Sequence, residues 1–146
     1  MQAETFCLSS AGAFFLVGLV CGTWKYAAIF RSPEAKAPYY VDVAHRASLL
    51  YAFACALIGT LAAKSAWPNA VNLAAAAVVV VFFAAAVVGY IVHGWLRDTE
   101  NQLARPHRLG RGTISPLAML GFMAALIVCE IGGFLVVFSG FIAGRS

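Results

Sequence analysis

The chain has 146 residues, of which 62% are hydrophobic and 11% charged, with a mean hydropathy of +0.85 and a formal net charge of +4. A water-soluble domain carries about 25% charged residues, so this chain cannot cover itself with polar surface and its solvent must be lipid. The positive excess then bears on membrane topology, and with no basic stripe interleaved with aromatic residues it does not point to nucleic acid.

The first apolar run covers about 8–30. The stretch before it, "MQAETFCLSS", holds an acid and no Lys or Arg. It lacks the basic n-region of a signal peptide, so the run is expected to stay in the mature protein. Further runs cover about 43–63, 70–96 and 116–142. Each reaches the roughly 20 residues that a helix needs to cross hydrocarbon. The expected fold is all-α: one domain over residues 1–146, an antiparallel bundle of four transmembrane helices. The link "KSAWPNA" makes the second and third helices antiparallel neighbours. Pro68 and Asn69 break the helix there, and Trp67 suits an aromatic interface belt.

Lys and Arg set the expected orientation. Arg31, Lys36, Arg97, Arg105, Arg108 and Arg111 lie in the 31–44 and 97–115 connections, with Lys25 and Arg46 at the helix ends beside them. The opposite face has only Lys64 and Arg145. The positive-inside rule puts both long loops in the cytoplasm and both termini outside, in a bacterial-type inner membrane. The cysteines, Cys7, Cys21, Cys55 and Cys129, are scattered without a C-x-x-C pair and read as small apolar filler. "GLVCG" (Gly18 to Gly22) and "GFIAG" (Gly140 to Gly144) are G-x-x-x-G, which supports tight helix packing and homo-oligomers.

The polar residues inside the spans need a reason. In "VDVAHRASLL", His45 and Arg46 sit near the start of the second helix. His93 and Tyr90 sit near the end of the third, so the two histidines are expected at the same membrane level. Tyr51 lies about 9 Å deeper than His45 at 1.5 Å per residue. His and Tyr commonly line the interface, and Arg46 can snorkel. Paired imidazoles are also good ligands for iron, and with no carboxylate or thiolate expected beside them, haem fits better than zinc or a di-iron centre. Glu130 is expected about 21 Å into the fourth span, near or past the midplane. A carboxyl there is either a functional group or a protonated acid hydrogen-bonded to a neighbouring helix. The 97–115 connection reads as a solvated basic loop or as a lid, with His107 exposed.

The layout resembles the styrene oxide isomerase family, small four-helix membrane proteins that bind haem b. The residues that carry the resemblance are "VAHRASLLYA", the preceding helix with "VGLVCGTWK", and "SPE" in the loop before the His. Ala44-His45 falls on the family's A-H step, which implies His45 as the axial iron ligand. In that family ferric haem acts as a Lewis acid that opens an epoxide to a carbonyl compound. The family's pocket Tyr would fall on Tyr90 in "VVGYIVHGW". The family's Asn six residues after the His is Tyr51 here, and His93 and Glu130 lie outside the family pattern.

Three functions stay open. The first is a haem-b enzyme with His45 as ligand and Tyr90 and Tyr51 contacting a lipophilic, oxygen-containing substrate. The second is a cytochrome-b-like carrier with His45 and His93 on one haem and quinone as partner. The third is a structural or accessory subunit of a larger membrane complex, with a transporter using Glu130 ranked below it.

Overall fold

The computed structural model describes residues 1–145. Its helices are α1 (Ala3–Arg31), α2 (Tyr39–Ala63), α3 (Asn69–Leu96) and α4 (Pro116–Ala143). All four are long and apolar enough to span a membrane, so the chain is a multi-pass membrane protein built as an all-α four-helix bundle. Leu16, Phe53, Val81 and Val128 point outward, as side chains do when hydrocarbon replaces water around a helix whose backbone is internally bonded.

Two helices begin earlier than their apolar runs. The start of α1 is tied down by Asn69, whose Oδ1 accepts from Ala3 N at 2.8 Å and whose Nδ2 donates to Met1 O at 3.1 Å. Pro68 and Asn69 therefore do more than interrupt: Pro68 is the N-cap of α3, and Asn69 opens the helix. Pro38 plays the same capping role for α2, which starts at Tyr39 and not near residue 43. The start of α4 follows the expected chemistry. Ser115 is its N-cap, accepting from Ala118 N at 3.1 Å, with Pro116 in the first turn, where a missing N–H costs nothing.

Small residues set the helix seams. A Cβ at Gly18 would lie 2.6 Å from Leu49 Cδ2, and one at Gly22 would lie 2.9 Å from His45 Cε1. "GLVCG" is thus the α1–α2 seam. "GFIAG" seats α4 on the α2–α3 turn: Gly140 packs on Ser65 and Trp67, and Gly144 on the Lys64 carbonyl. There Ala66 N–H donates to Gly140 O at 2.9 Å, and Trp67 Nε1 donates to Ser139 Oγ at 3.2 Å. Both G-x-x-x-G motifs serve contacts within the chain. The core runs through Phe14, Ala52, Cys55, Ile58, Val79, Phe83, Val87 and Val137. Cys7, Cys21 and Cys55 are buried and free, packing as small apolar groups. In α4 only Val137 and Gly140 are buried.

The 97–115 connection is more ordered than a solvated loop. It contains a short antiparallel hairpin, β1 (Arg108–Leu109) and β2 (Gly112–Thr113), turning at Gly110 with φ 59°. That left-handed conformation suits glycine, which has no Cβ to clash.

Candidate functional site

Between α3 and α4, near the end of the bundle that carries this connection, lies a cavity of about 480 Å³. Its walls are Ala86, Gly89, Tyr90 and His93 of α3, Met119, Phe122, Met123 and Leu126 of α4, and Tyr51 of α2. Gln102, Leu109 and Ile114 form part of its roof. The α4 residues recur at helical spacing, so they share one stripe. Glu130, four residues beyond Leu126, continues that stripe one turn deeper.

The lining is apolar except for a few groups. Tyr51 stacks on Phe83 with ring centroids 4.0 Å apart and meets Phe14 edge-on at 6.1 Å. Tyr90 stacks on Tyr40 at 5.9 Å. Among the described residues, neither the Tyr51 nor the Tyr90 hydroxyl has a protein hydrogen-bond partner. Glu130 Oε1 is likewise buried without a partner. The alternative in which Glu130 bonds to a Ser, Thr or backbone group of the next helix therefore does not hold for that oxygen.

His93 is held differently from what spacing implied. Its Nδ1–H donates to Asp98 Oδ1 at 2.8 Å, and both side chains are 5% exposed. The expectation of no carboxylate beside the histidines fails here: the α3 C-cap at Arg97 adopts φ 50°, ψ 37°, and this left-handed turn folds Asp98 back onto the helix end. The other Asp98 oxygen accepts from Gly110 N. Burial alone would raise the Asp98 pKa, but the hydrogen bonds from His93 and from Gly110 N–H outweigh it and hold the carboxyl below its ordinary value. Tyr40, whose ring lies 5.2 Å from His93, accepts from Gln102 N at 2.7 Å through its hydroxyl. His107, expected at the surface, is buried. Its ring bonds to Gln102 O at 3.2 Å, and its carbonyl accepts from Ile114 N at 2.8 Å. The side chains of Asp98 and His107 in the connection, Tyr40 of α2 and His93 of α3 thus fasten the roof.

His45 lies elsewhere. Its ring is half-buried in the α1–α2 seam over Gly22, with Nδ1 2.8 Å from Gly18 O. A carbonyl only accepts, so Nδ1 carries the proton and the neutral ring keeps its lone pair on Nε2. The two histidines are not at one level. Val41 packs against Gly94, the residue after His93, so His45, four residues past Val41, lies roughly 4–5 Å deeper than His93. The early start of α2 accounts for the offset. Arg46 pairs with Asp42 at 2.6 Å, and so does Lys25, also at 2.6 Å. Arg46 is therefore held by an i,i+4 ion pair.

The cavity brings Tyr51, Tyr90 and His93 together, with Glu130 beneath it, and leaves His45 outside. Among the described residues, no three His, Cys, Asp or Glu side chains converge on a metal-sized site. Sequence reasoning missed Tyr40, Asp98 and Gln102, and placed His107 at the surface. The only signal for Asp98 was its position just past the helix end in "HGWLRD". Compared with known proteins, the chain matches no family model, no curated protein and no solved structure.

Proposed function

We propose that the protein binds haem b through His45 and acts on a lipophilic, oxygen-bearing small molecule, with epoxide-to-carbonyl isomerisation as the activity. The observation that carries this reading is the His45 Nδ1–H bond to Gly18 O at 2.8 Å. Iron-ligating histidines are oriented in this way, with one ring nitrogen donating to a carbonyl or carboxylate and the other left as the ligand. Gly22 supports the ring from below, since any larger residue would displace it. The resemblance of "VAHRASLLYA" to the styrene oxide isomerases points to the same residue. Ferric haem, when bound, supplies Lewis acidity toward the substrate oxygen. Tyr90 and Tyr51 offer hydroxyls to that class of molecule in the mainly apolar α3–α4 cavity, which His45 does not line, so this part of the reading rests on the resemblance and not on a shared pocket.

A carrier with His45 and His93 on one haem draws less support from the geometry. His93 is committed to Asp98 and packs on Tyr40, whereas His45 is turned toward α1 a helical turn away. The distribution of Lys and Arg favours an inner-membrane orientation with both loops cytoplasmic and both termini outside.

The test is the absorption spectrum of the purified protein and its variants. A Soret band lost in His45→Ala and retained in His93→Ala, with unchanged spin state, is the expected result. Protein that stays haem-free in cells that load a control haemoprotein refutes the proposal, and loss of haem in His93→Ala replaces it with the paired-ligand carrier.

A further inference from the structure

A second pocket opens on the same end of the molecule, away from the α3–α4 cavity. It has a volume of about 400 Å³ and lies where the end of α1, the 32–38 turn and the end of α3 meet. Its polar lining is dominated by three cations, Arg31, Lys36 and Arg97, and it includes no carboxylate. Trp24 forms an apolar wall. Among the described residues the ion pairs are Lys25 and Arg46 with Asp42, and His93 with Asp98, so none of the three pocket cations is neutralised. The nearest acid in sequence, Glu34, accepts the Ser32 hydroxyl at 3.1 Å.

Three like charges facing one pocket repel each other, and although the positive-inside bias accounts for cations on this face, it does not require them to converge on one pocket. The backbone is also unusual there. The two non-glycine residues with positive φ are Arg97 at 50° and Ala35, the neighbour of Lys36, at 52°. Each holds a cation-bearing segment in a conformation that side chains disfavour. The surroundings fix the level of the pocket in the membrane. Trp24 and Trp95 meet with ring centroids 6.3 Å apart, and Trp95, Tyr26 and Phe30 are 77%, 69% and 80% exposed. Exposed Trp and Tyr at a helix end mark the headgroup layer. A basic pocket between helix ends at that depth is suited to a lipid phosphate.

We propose that this pocket binds the phosphodiester headgroup of an anionic membrane lipid, with Arg31, Lys36 and Arg97 on the phosphate and Trp24 against the glycerol and upper acyl region. The site stands independently of haem and of the α3–α4 cavity.

Native mass spectrometry of the full-length protein in detergent, titrated with phosphatidylglycerol, phosphatidylcholine or inorganic phosphate, tests the assignment. Phosphatidylglycerol is expected to bind more tightly than phosphatidylcholine. Each of Arg31→Gln, Lys36→Gln and Arg97→Gln is expected to weaken it roughly fivefold, with Arg97→Lys retaining binding. Arg105→Gln, Arg108→Gln and Arg111→Gln, which remove the same charge from the roof, should leave it unchanged. An equal loss from the roof substitutions would mean diffuse attraction and no site. Equal binding of the two lipids, or displacement of lipid by equimolar inorganic phosphate, also overturns the proposal.

Discussion

Replacing Gly22 by Ala is a sharp probe of the His45 site because it changes no charge and removes no hydrogen-bonding group. The added Cβ would lie 2.9 Å from both Cε1 and Nδ1 of His45, well inside van der Waals contact. Either the ring shifts, stretching its bond to Gly18 O, or α1 and α2 separate. Overpacking of this kind costs about 1–3 kcal/mol. If His45 holds haem as proposed and the whole cost falls on the ligand geometry, haem affinity drops roughly 5- to 150-fold at about 1.4 kcal/mol per decade. Gly12→Ala is the control on the same helix, since a Cβ there meets nothing within 4 Å. It should leave haem affinity unchanged and raise stability by up to about 1 kcal/mol through helix propensity. The assay is a haem titration of apoprotein followed at the Soret band, with thermal unfolding measured in parallel. If Gly22→Ala matches Gly12→Ala in both, the ring is not seated on Gly22 and the geometric argument for His45 is wrong. If stability falls while haem affinity holds, His45 is a packing residue and the iron ligand is elsewhere.

Asp98→Ala should loosen the roof at neutral pH, because His93 Nδ1–H and Gly110 N–H both lose their acceptor; buried donors left unpaired cost about 1–3 kcal/mol. Faster amide exchange across 97–115 would show it, and exchange equal to wild type would count against the clamp. The Asp98 carboxyl is held below its ordinary value of 3.8. Its contribution is therefore complete above that pH and is lost as the pH falls through the lower folded value. The NMR shift of the Gly110 amide should stay constant down to about pH 4 and move only below it. A change centred near pH 6 would implicate a histidine instead. Glu130→Leu is expected to raise the thermal stability of the detergent-solubilised protein, since it removes a buried oxygen without a partner at a gain of about 1–3 kcal/mol. A lower melting temperature would mean that the carboxyl is satisfied by something other than the protein.

The four spans were legible because each is an apolar run of membrane length, and hydrocarbon leaves a helix as the only open solution for such a run. The helix starts at Ala3 and Tyr39 were less so. They are fixed by Asn69 reaching across to Ala3 and by Pro38, contacts that hydropathy does not register. Tyr51, Tyr90, His93 and Glu130 stood out as polar residues in apolar runs, and the structure groups three of them around one cavity with the fourth beneath it. His45 stood out equally, but its direction depended on Gly18 and Gly22, which spacing alone read only as a packing motif. Asp98 and His107 were hidden because the 97–115 segment reads as a hydrophilic connection. Only the left-handed turn at Arg97 and the bend at Gly110 bring it back over the bundle.

The fourth helix is gripped unequally along its length. Near its C-terminal end Gly140, Gly144 and Ser139 are clasped by the α2–α3 turn. Toward its N-terminal end it faces the cavity, and no residue before Val137 is buried. Its contacts with α3 on that side are local: Phe122 meets Phe82 with ring centroids 6.4 Å apart, and Gly133 packs on Val79 and Ala75. The cavity beside Tyr51 and Tyr90 is thus bounded on one side by the stretch of α4 that the rest of the chain covers least.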